Sequence, residues 1–304
     1  MNKIFENIQG DKTLWAILIL LACFSFLPVY SAASNLAYVS GSGNTFNFLF
    51  KHFIHLSLGF TFMYIMQKIP YHYFRGISIL MIPVVIVLLL YTLLQPSVID
   101  SLTNTNRWIK IPLVGFTFQP STLASVILMI YVSRYLAKIK DVEISFSKTI
   151  LPFWIPILTI LLLILPANFS TTAILFSMII LLCFVGGYPL KYLLGVIISG
   201  ILVLTIFILT VKAYPGIFPN RVDTWKSRIE NFVNKENSTQ NYQIEKAKIA
   251  IATGGVKGLG PGKSVQKNFL PQSSSDFIFA IIIEEYGLIG GLSILLAYTL
   301  FLLR

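Results

Sequence analysis

The chain has 304 residues, 56% of them hydrophobic and only 12% charged, with a formal net charge of +11. So much apolar sequence, gathered in blocks of about 20 residues, excludes a soluble domain and matches the roughly 30 Å hydrocarbon core of a bilayer. The positive balance does not require nucleic acid, because Lys and Arg gather on the cytoplasmic loops of membrane proteins.

In chain order, the predicted elements are eight apolar helices at 13–31, 46–66, 75–94, 120–137, 149–166, 171–187, 189–211 and 277–303. Irregular backbone cannot face lipid, so each block is expected to be helical. No small-residue cleavage site follows the first block, which is therefore expected to stay as a membrane helix. Cys23 and Cys183 fall inside apolar blocks and read as small core residues, not as a disulfide framework. The second block carries Lys51, His52 and His55. Ionisable groups within a span usually face a protein interior or a water-filled cavity. Lys51 is also close enough to the outer end to snorkel there. A metal site on His52 and His55 lacks a third ligand in view.

After the third block, "SLTNTNRWIKIPLVGFTFQPS" brings Arg107, Trp108 and Lys110, which read equally well as an interfacial anchor. Gln119, Ser121, Thr122 and Ser125 open the fourth block, and Asn168, Ser170, Thr171 and Thr172 the sixth. Small polar residues often join membrane helices to one another. Here both groups are expected at the outer mouth, the side where Asp276 falls, and three polar groups at one depth favour a cavity over scattered helix contacts.

With the N-terminus inside, the cytoplasmic side receives Lys3, Lys12, Lys68, Arg75, Arg134, Lys138, Lys140, Lys148, Lys191 and Arg304, and the short outer loops only Arg107 and Lys110. Segment 212–276 then forms a large extracytoplasmic loop. Within it "WKSRIENFV" and "YQIEKAKIAIA" have apolar residues at helical spacing and are expected to be amphipathic helices at the membrane surface. In "GGVKGLGPGKSVQKNFLPQSSSD", Gly254, Gly255, Gly258, Gly260 and Gly262 alternate with Lys257, Lys263 and Lys267. Successive N–H groups in such loops form anion-binding nests, which suit phosphate. A P-loop is excluded, because its first glycine would fall at 257, where Lys stands. The alternative is a plain glycine-rich turn. Asp276 sits at the seam with the last block, where a carboxylate can also cap a helix for roughly 0.3–2 kcal/mol. Glu284 and Glu285 lie deeper and are expected to hold the helix against a neighbouring span.

The stretches "NRWIKI", "FQPS", "PANFSTTAILF", "SRIENF", "YQIEKAKIAIATGGVKGLGPGKSVQKNFLP" and "SDFIFAIIIEEYGLIG" appear in the order in which the SEDS family (shape, elongation, division and sporulation) carries its motifs. The chain resembles these membrane glycosyltransferases, which polymerise peptidoglycan. "FTFQPSTLAS" and "PANFSTTA" resemble the division branch in its Bacteroidetes-type version. The resemblance implies an all-α polytopic membrane fold of ten spans, so a chain with eight is expected to be a C-terminally truncated single domain over 1–304. Most relatives have Glu at Thr122, Lys at Ser125, Asp at Asn168, Glu at Gln272 and His at Ser274. Losing the Glu and Lys together is the tolerable way to lose an ion pair, since neither charge is stranded.

The chemistry implied is the joining of lipid II units. The acceptor 4-hydroxyl attacks C1 of the donor sugar with inversion, and undecaprenyl pyrophosphate leaves. A pyrophosphate leaves without protonation, so one base and some cations suffice where inverting hydrolases need two carboxylates. Asp276 is the expected general base. Lys51, Arg221, Lys257, Lys263 and Lys267 are expected to hold the pyrophosphates, with Mg2+ or Mn2+ and no organic cofactor. Trp108 is expected against sugar or lipid, with Gln272 and Ser274 beside the substrate. Gln119, Thr122, Ser125, Asn168 and Thr171 are expected to line the cavity. The implied partners are a class B penicillin-binding protein and other division proteins, at the septal inner membrane. A lipid II flippase and a non-catalytic division scaffold are the competing readings.

Overall fold

A computed structural model of the chain describes residues 10–39, 45–95, 108–110, 117–140, 144–213, 239–270, 273 and 275–304. Its helices are α1 (Lys12–Val39), α2 (Thr45–Met66), α3 (His72–Leu94), α4 (Pro120–Ile139), α5 (Phe146–Ile164), α6 (Phe169–Val185), α7 (Leu190–Ala213), α8 (Thr239–Gly254) and α9 (Ile278–Leu303). All eight predicted blocks fall on helices. Six of these helices (α1 to α5 and α9) are long and apolar enough to cross a membrane, while α6 and the Leu190–Ile206 part of α7 are shorter apolar helices. At 17 residues, α6 spans about 25 Å, short of a full hydrocarbon core. Large apolar side chains remain exposed along these helices, among them Phe62, Leu80 and Leu151, as lipid contact requires. The chain forms two compact units, Met1–Ile69 with Asn231–Arg304, and Pro70–Glu230.

In the unit Pro70–Glu230, α4 packs on α3, α5 and α6 around Val85, Leu128, Ile157, Ile160 and Ile179. Helix α5 contains a π-helical turn at Ile150–Trp154. Its cause is local. Pro156 has no N–H to donate to the carbonyl of Pro152, and its ring crowds that carbonyl. The Tyr131 hydroxyl of α4 donates to the freed Pro152 oxygen. Nearby, the Tyr188 hydroxyl accepts from Trp154 Nε1 at 3.1 Å and shares a 2.7 Å hydrogen bond with Thr149 Oγ1. A two-residue antiparallel ladder precedes α4, with Ile109 opposite Phe118 and Lys110 opposite Thr117.

In the other unit, α1 packs on α2 and α9, and α8 packs along α9. Helix α1 runs past the predicted end at 31. The polar residues that ended the apolar block are satisfied in place, Ser34 Oγ donating to the Ser31 carbonyl at 2.6 Å and Ser31 Oγ to Glu285. Asp11 accepts from the Thr13 N–H at 2.8 Å at the start of α1 and pairs with Arg304 at 3.4 Å.

Helix α9 is interrupted at Gly287, where φ is 70° and ψ −173°. An unbroken helix would bond Leu288 N–H to the Glu284 carbonyl and Ile289 N–H to that of Glu285. Instead these two N–H groups reach the carbonyls of Gly255 and Val256, at 2.9 and 3.4 Å. The released Glu284 and Glu285 carbonyls accept the N–H groups of Leu259 and Gly260, both at 2.9 Å. Two ladder bonds are thus exchanged for four bonds to the glycine loop. The approach is backbone to backbone: a Cβ on Gly287 would lie 2.2 Å from the Val256 oxygen, and one on Gly258 2.3 Å from the Glu285 oxygen. Non-helical backbone at this depth, about 13 Å along α9, is tolerated because protein groups satisfy it.

Candidate active site

Glu284 and Glu285 are both buried, at 0% and 1% exposure. Unsatisfied, each carboxylate would cost several kcal/mol. Both are met by the segment that follows the glycine loop. Glu284 Oε1 accepts the N–H groups of Val265 and Gln266 at 3.1 and 3.3 Å, Gln266 N–H also reaches Oε2 at 3.3 Å, and Ser264 Oγ donates to Oε2. Glu285 Oε1 accepts from Ser31 Oγ and from Ser264 N–H at 3.3 Å. Glu285 Oε2 is buried without a hydrogen-bond partner among the described residues. Lys267 is turned into the same network, its Nζ donating to the Gly262 carbonyl at 2.8 Å and to Ser31 Oγ at 3.2 Å.

Just after the predicted glycine nest, the N–H groups of 265–266 hold an anion of the chain itself, the carboxylate of Glu284. The N–H groups of Leu259 and Gly260 are likewise occupied by α9 carbonyls. The loop side chains Lys257 and Lys263 are both exposed and face solvent rather than this network. Glu285 does reach a neighbouring span, as expected, through Ser31 of α1. The role of Glu284 differs, because it organises the loop. The missed residues were Ser31 and Ser264. The signal available in the sequence was a pair of acids deep in an apolar helix, which must find donors somewhere.

Asp276 stands in the turn before α9 and is exposed. It does not cap the helix: the N-cap is Phe277, with no side-chain cap hydrogen bond. Among the described residues no hydrogen bond or ion pair engages the Asp276 carboxylate, which is therefore available. The chain leading to it is anchored. Leu270 and Ser273 are buried, Ser273 N–H bonds the Leu270 carbonyl at 3.1 Å, and the Phe269 ring lies under Lys246 Nζ at 5.2 Å. An exposed carboxylate thus follows a loop anchored at Leu270 and Ser273 and bearing two exposed ammonium groups. Such a set can accept a proton and offset phosphate charge.

Lys51 is exposed on α2, and its carbonyl accepts from His55 Nδ1 at 2.6 Å. His52 Nε2 is 2.8 Å from Ser25 Oγ, and its ring meets Phe26 edge-on. In the unit Pro70–Glu230, Asn168 caps α6, its Oδ1 accepting from Thr171 N–H at 3.3 Å. Thr172 Oγ1 donates to the Asn168 carbonyl and Ser125 Oγ to the Ser121 carbonyl. Asn168 and Ser121 share a small pocket of about 10 Å³, room for about one water, with Thr92, Pro120 and Ala167. Gln119 precedes α4 in extended backbone, Thr122 is exposed on its first turn, and Trp108 is 45% exposed beside the short ladder. Arg221, Gln272 and Ser274, the "WKSRIENFV" helix and Arg107 lie outside the described residues.

Several bilayer-length apolar helices, one of them interrupted and stitched to a glycine loop with an available carboxylate at its head, define a multi-pass membrane protein with a built polar site. The family model of the FtsW/RodA/SpoVE cell cycle proteins matches residues 11–304, and the chain belongs to this family. A protein named "Probable peptidoglycan glycosyltransferase FtsW" from Marinomonas mediterranea is 30% identical over 314 aligned positions, covering 100% of this chain and 74% of the relative. Its namesake from Geobacter sulfurreducens is 29% identical, over 98% of this chain and 77% of the relative. Two solved structures share the fold. One, described as "Structural coordination of polymerization and crosslinking by a peptidoglycan synthase complex", has a TM-score of 0.65 at 18% identity, over 98% of this chain and 77% of that one. The other, a point mutant of the Thermus thermophilus rod shape determining protein RodA, has a TM-score of 0.60 at 16% identity, over 98% and 74%.

Proposed function

We infer that the chain is a peptidoglycan glycosyltransferase that polymerises lipid II into β-1,4 glycan strands for the division septum. Its place in the family and the names of its relatives support the activity. The observation that carries the site is Asp276, an exposed carboxylate not engaged in capping, at the end of an anchored loop that presents Lys257 and Lys263.

The step balances with one base. The 4-hydroxyl oxygen of the acceptor bonds to C1 of the donor sugar as its proton passes to Asp276. The C1–O bond to pyrophosphate breaks, and its electron pair leaves with undecaprenyl pyrophosphate. Attack from the opposite face inverts C1. Asp276 is a weak base toward a free alcohol, but that proton becomes acidic as the bond forms. Lys257 and Lys263 offset the charge gathering on the leaving group, and Lys51 and Arg221 are assigned to the pyrophosphate with them, while the Lys267 ammonium, spent on Gly262 and Ser31, holds the loop that presents them. Trp108, Gln272 and Ser274 remain assigned to sugar or lipid, and Gln119, Thr122, Ser125, Asn168 and Thr171 to the polar lining. Mg2+ or Mn2+ is assigned to the substrate pyrophosphate as its companion.

We place both ends of the described chain on the cytoplasmic side of the inner membrane, with eight spans between. The Asp11–Arg304 pair supports this, since it brings the start of α1 and the end of α9 to one face. A fold shared with a complex that coordinates polymerisation and crosslinking supports a cross-linking partner, a class B penicillin-binding protein.

The test is polymerisation of lipid II by purified protein. Asp276→Asn and Asp276→Ala are expected to abolish polymer while lipid II still binds. A wild-type rate in either variant removes Asp276 from the mechanism. Transport of lipid II across vesicles without polymer would favour the transporter instead.

A further inference from the structure

In the unit Pro70–Glu230, the start of α3 and the last turns of α4 enclose a cleft of about 800 Å³. His72, Arg75, Arg134 and Lys138 line it, above a floor that includes Met129 and Ile130. The Nε of Arg134 is buried there with no hydrogen-bond partner. Arg75 and Lys138 are exposed on the rim. The described residues of this unit include no Asp or Glu at all, so none of them supplies the missing counter-charge. A buried Nε–H without an acceptor is costly, and convergent cations around a cleft suit an anionic ligand.

We propose that this cleft binds the phosphate headgroup of an anionic phospholipid. The chemistry selects the occupant on two counts. A guanidinium fork matches phosphate oxygens in pairs, and the ammonium of Lys138 adds a point charge. The apolar floor lies on α4, which like α3 is long and apolar enough to cross a membrane, where acyl chains continue from a headgroup. Basic pockets between membrane helices commonly hold such lipids. Free phosphate shares the headgroup chemistry but has nothing to place on Met129 and Ile130. The site is independent of Asp276, which belongs to the other unit.

The experiment is native mass spectrometry of the full chain released from nanodiscs containing phosphatidylglycerol and phosphatidylcholine. The wild-type protein is expected to keep at least one phosphatidylglycerol after others are stripped, and millimolar inorganic phosphate is expected not to displace it. Arg134→Gln is expected to weaken that retention about tenfold or more, the scale of one lost charged hydrogen bond. If Arg134→Gln misfolds, the rim pair Arg75→Gln with Lys138→Gln gives the same reading without touching a buried group. Lys191→Gln, an exposed cation elsewhere in the unit, is expected to change nothing. Equal retention of both lipids by the wild-type protein, unchanged retention in the cleft variants, or displacement by inorganic phosphate would overturn the assignment.

Discussion

Replacing Gly287 by Ala tests whether the interruption of α9 is built in or incidental. The perturbation is one methyl group in a conformation, φ 70° with ψ −173°, that is close to exclusive to glycine. Holding another residue there costs about 1–3 kcal/mol. The new Cβ would also lie 2.2 Å from the Val256 oxygen and 2.4 Å from its carbon, and these backbone atoms cannot rotate away. The alternative is for α9 to close into a regular helix. It would then regain two ladder bonds and lose four to the loop, a net loss of about 2 kcal/mol at roughly 1 kcal/mol per bond. Ala in place of a helical Gly returns up to about 1 kcal/mol. Separation also strips the Glu284 carboxylate of its loop donors, at about 1–3 kcal/mol for each buried group left unmet. Both routes end near 2–4 kcal/mol of destabilisation. The assay is hydrogen exchange over 255–260, with thermal unfolding in the same detergent. Gly287→Ala is expected to lose protection at Leu259 and Gly260 and to melt lower. Gly59→Ala, where a Cβ meets nothing within 4 Å, is the matched control and should do neither. Wild-type protection and melting in Gly287→Ala would refute the interlock.

Three further outcomes are expected. Glu284→Leu leaves Ser264, Val265 and Gln266 without their acceptor and should lower stability by about 3 kcal/mol or more, read by thermal unfolding, with Glu284→Gln falling between it and wild type. Tyr131→Phe removes the donor to the Pro152 carbonyl; hydrogen bonds between membrane helices average about 0.6 kcal/mol, but this oxygen faces the proline nitrogen of Pro156 where an α-helix would supply an N–H, so about 1–2 kcal/mol is expected in chemical unfolding. The Asp11 carboxyl is held below its usual value of 3.8 by hydrogen bonds from the Thr13 backbone and side chain, with help from Arg304. A depressed folded value means that its stabilisation is full above the ordinary value and disappears as pH falls through the folded one. Asp11→Asn keeps a cap without the titration, so the stability difference between wild type and Asp11→Asn should shrink below pH 3.8; a constant difference across that window would remove the assignment.

The apolar blocks were legible because bilayer thickness sets their length, and no partner is needed to read them. The π-helical turn in α5 was not read, although Pro152 and Pro156 announce it. The break in α9 was beyond local reading. "EEYGLIGG" continues an apolar helix on propensity alone, and the bonds that replace its ladder come from Gly255 to Gly260, more than two dozen positions earlier. The carboxylate that Ser264, Val265 and Gln266 hold was not foreseen, because a run of N–H groups does not reveal which anion fills it. Asp276 was legible as an acid at a helix start. Only the structure shows that Phe277 takes the cap position and leaves the carboxylate available.

The stitching of Gly255–Gly260 into α9 separates what variation can touch from what it cannot. The four bonds are made by main-chain atoms, so Val256, Lys257 and Leu259 can change identity without loosening them. The spacing cannot change, because one inserted or deleted residue between Gly255 and Gly260 would align one pair of bonds and misalign the other. This segment is therefore a ruler. It sets the distance from the end of α8 to the first turn of the Glu284 network, and through Leu270 and Ser273 it sets how far the chain reaches before it delivers Asp276.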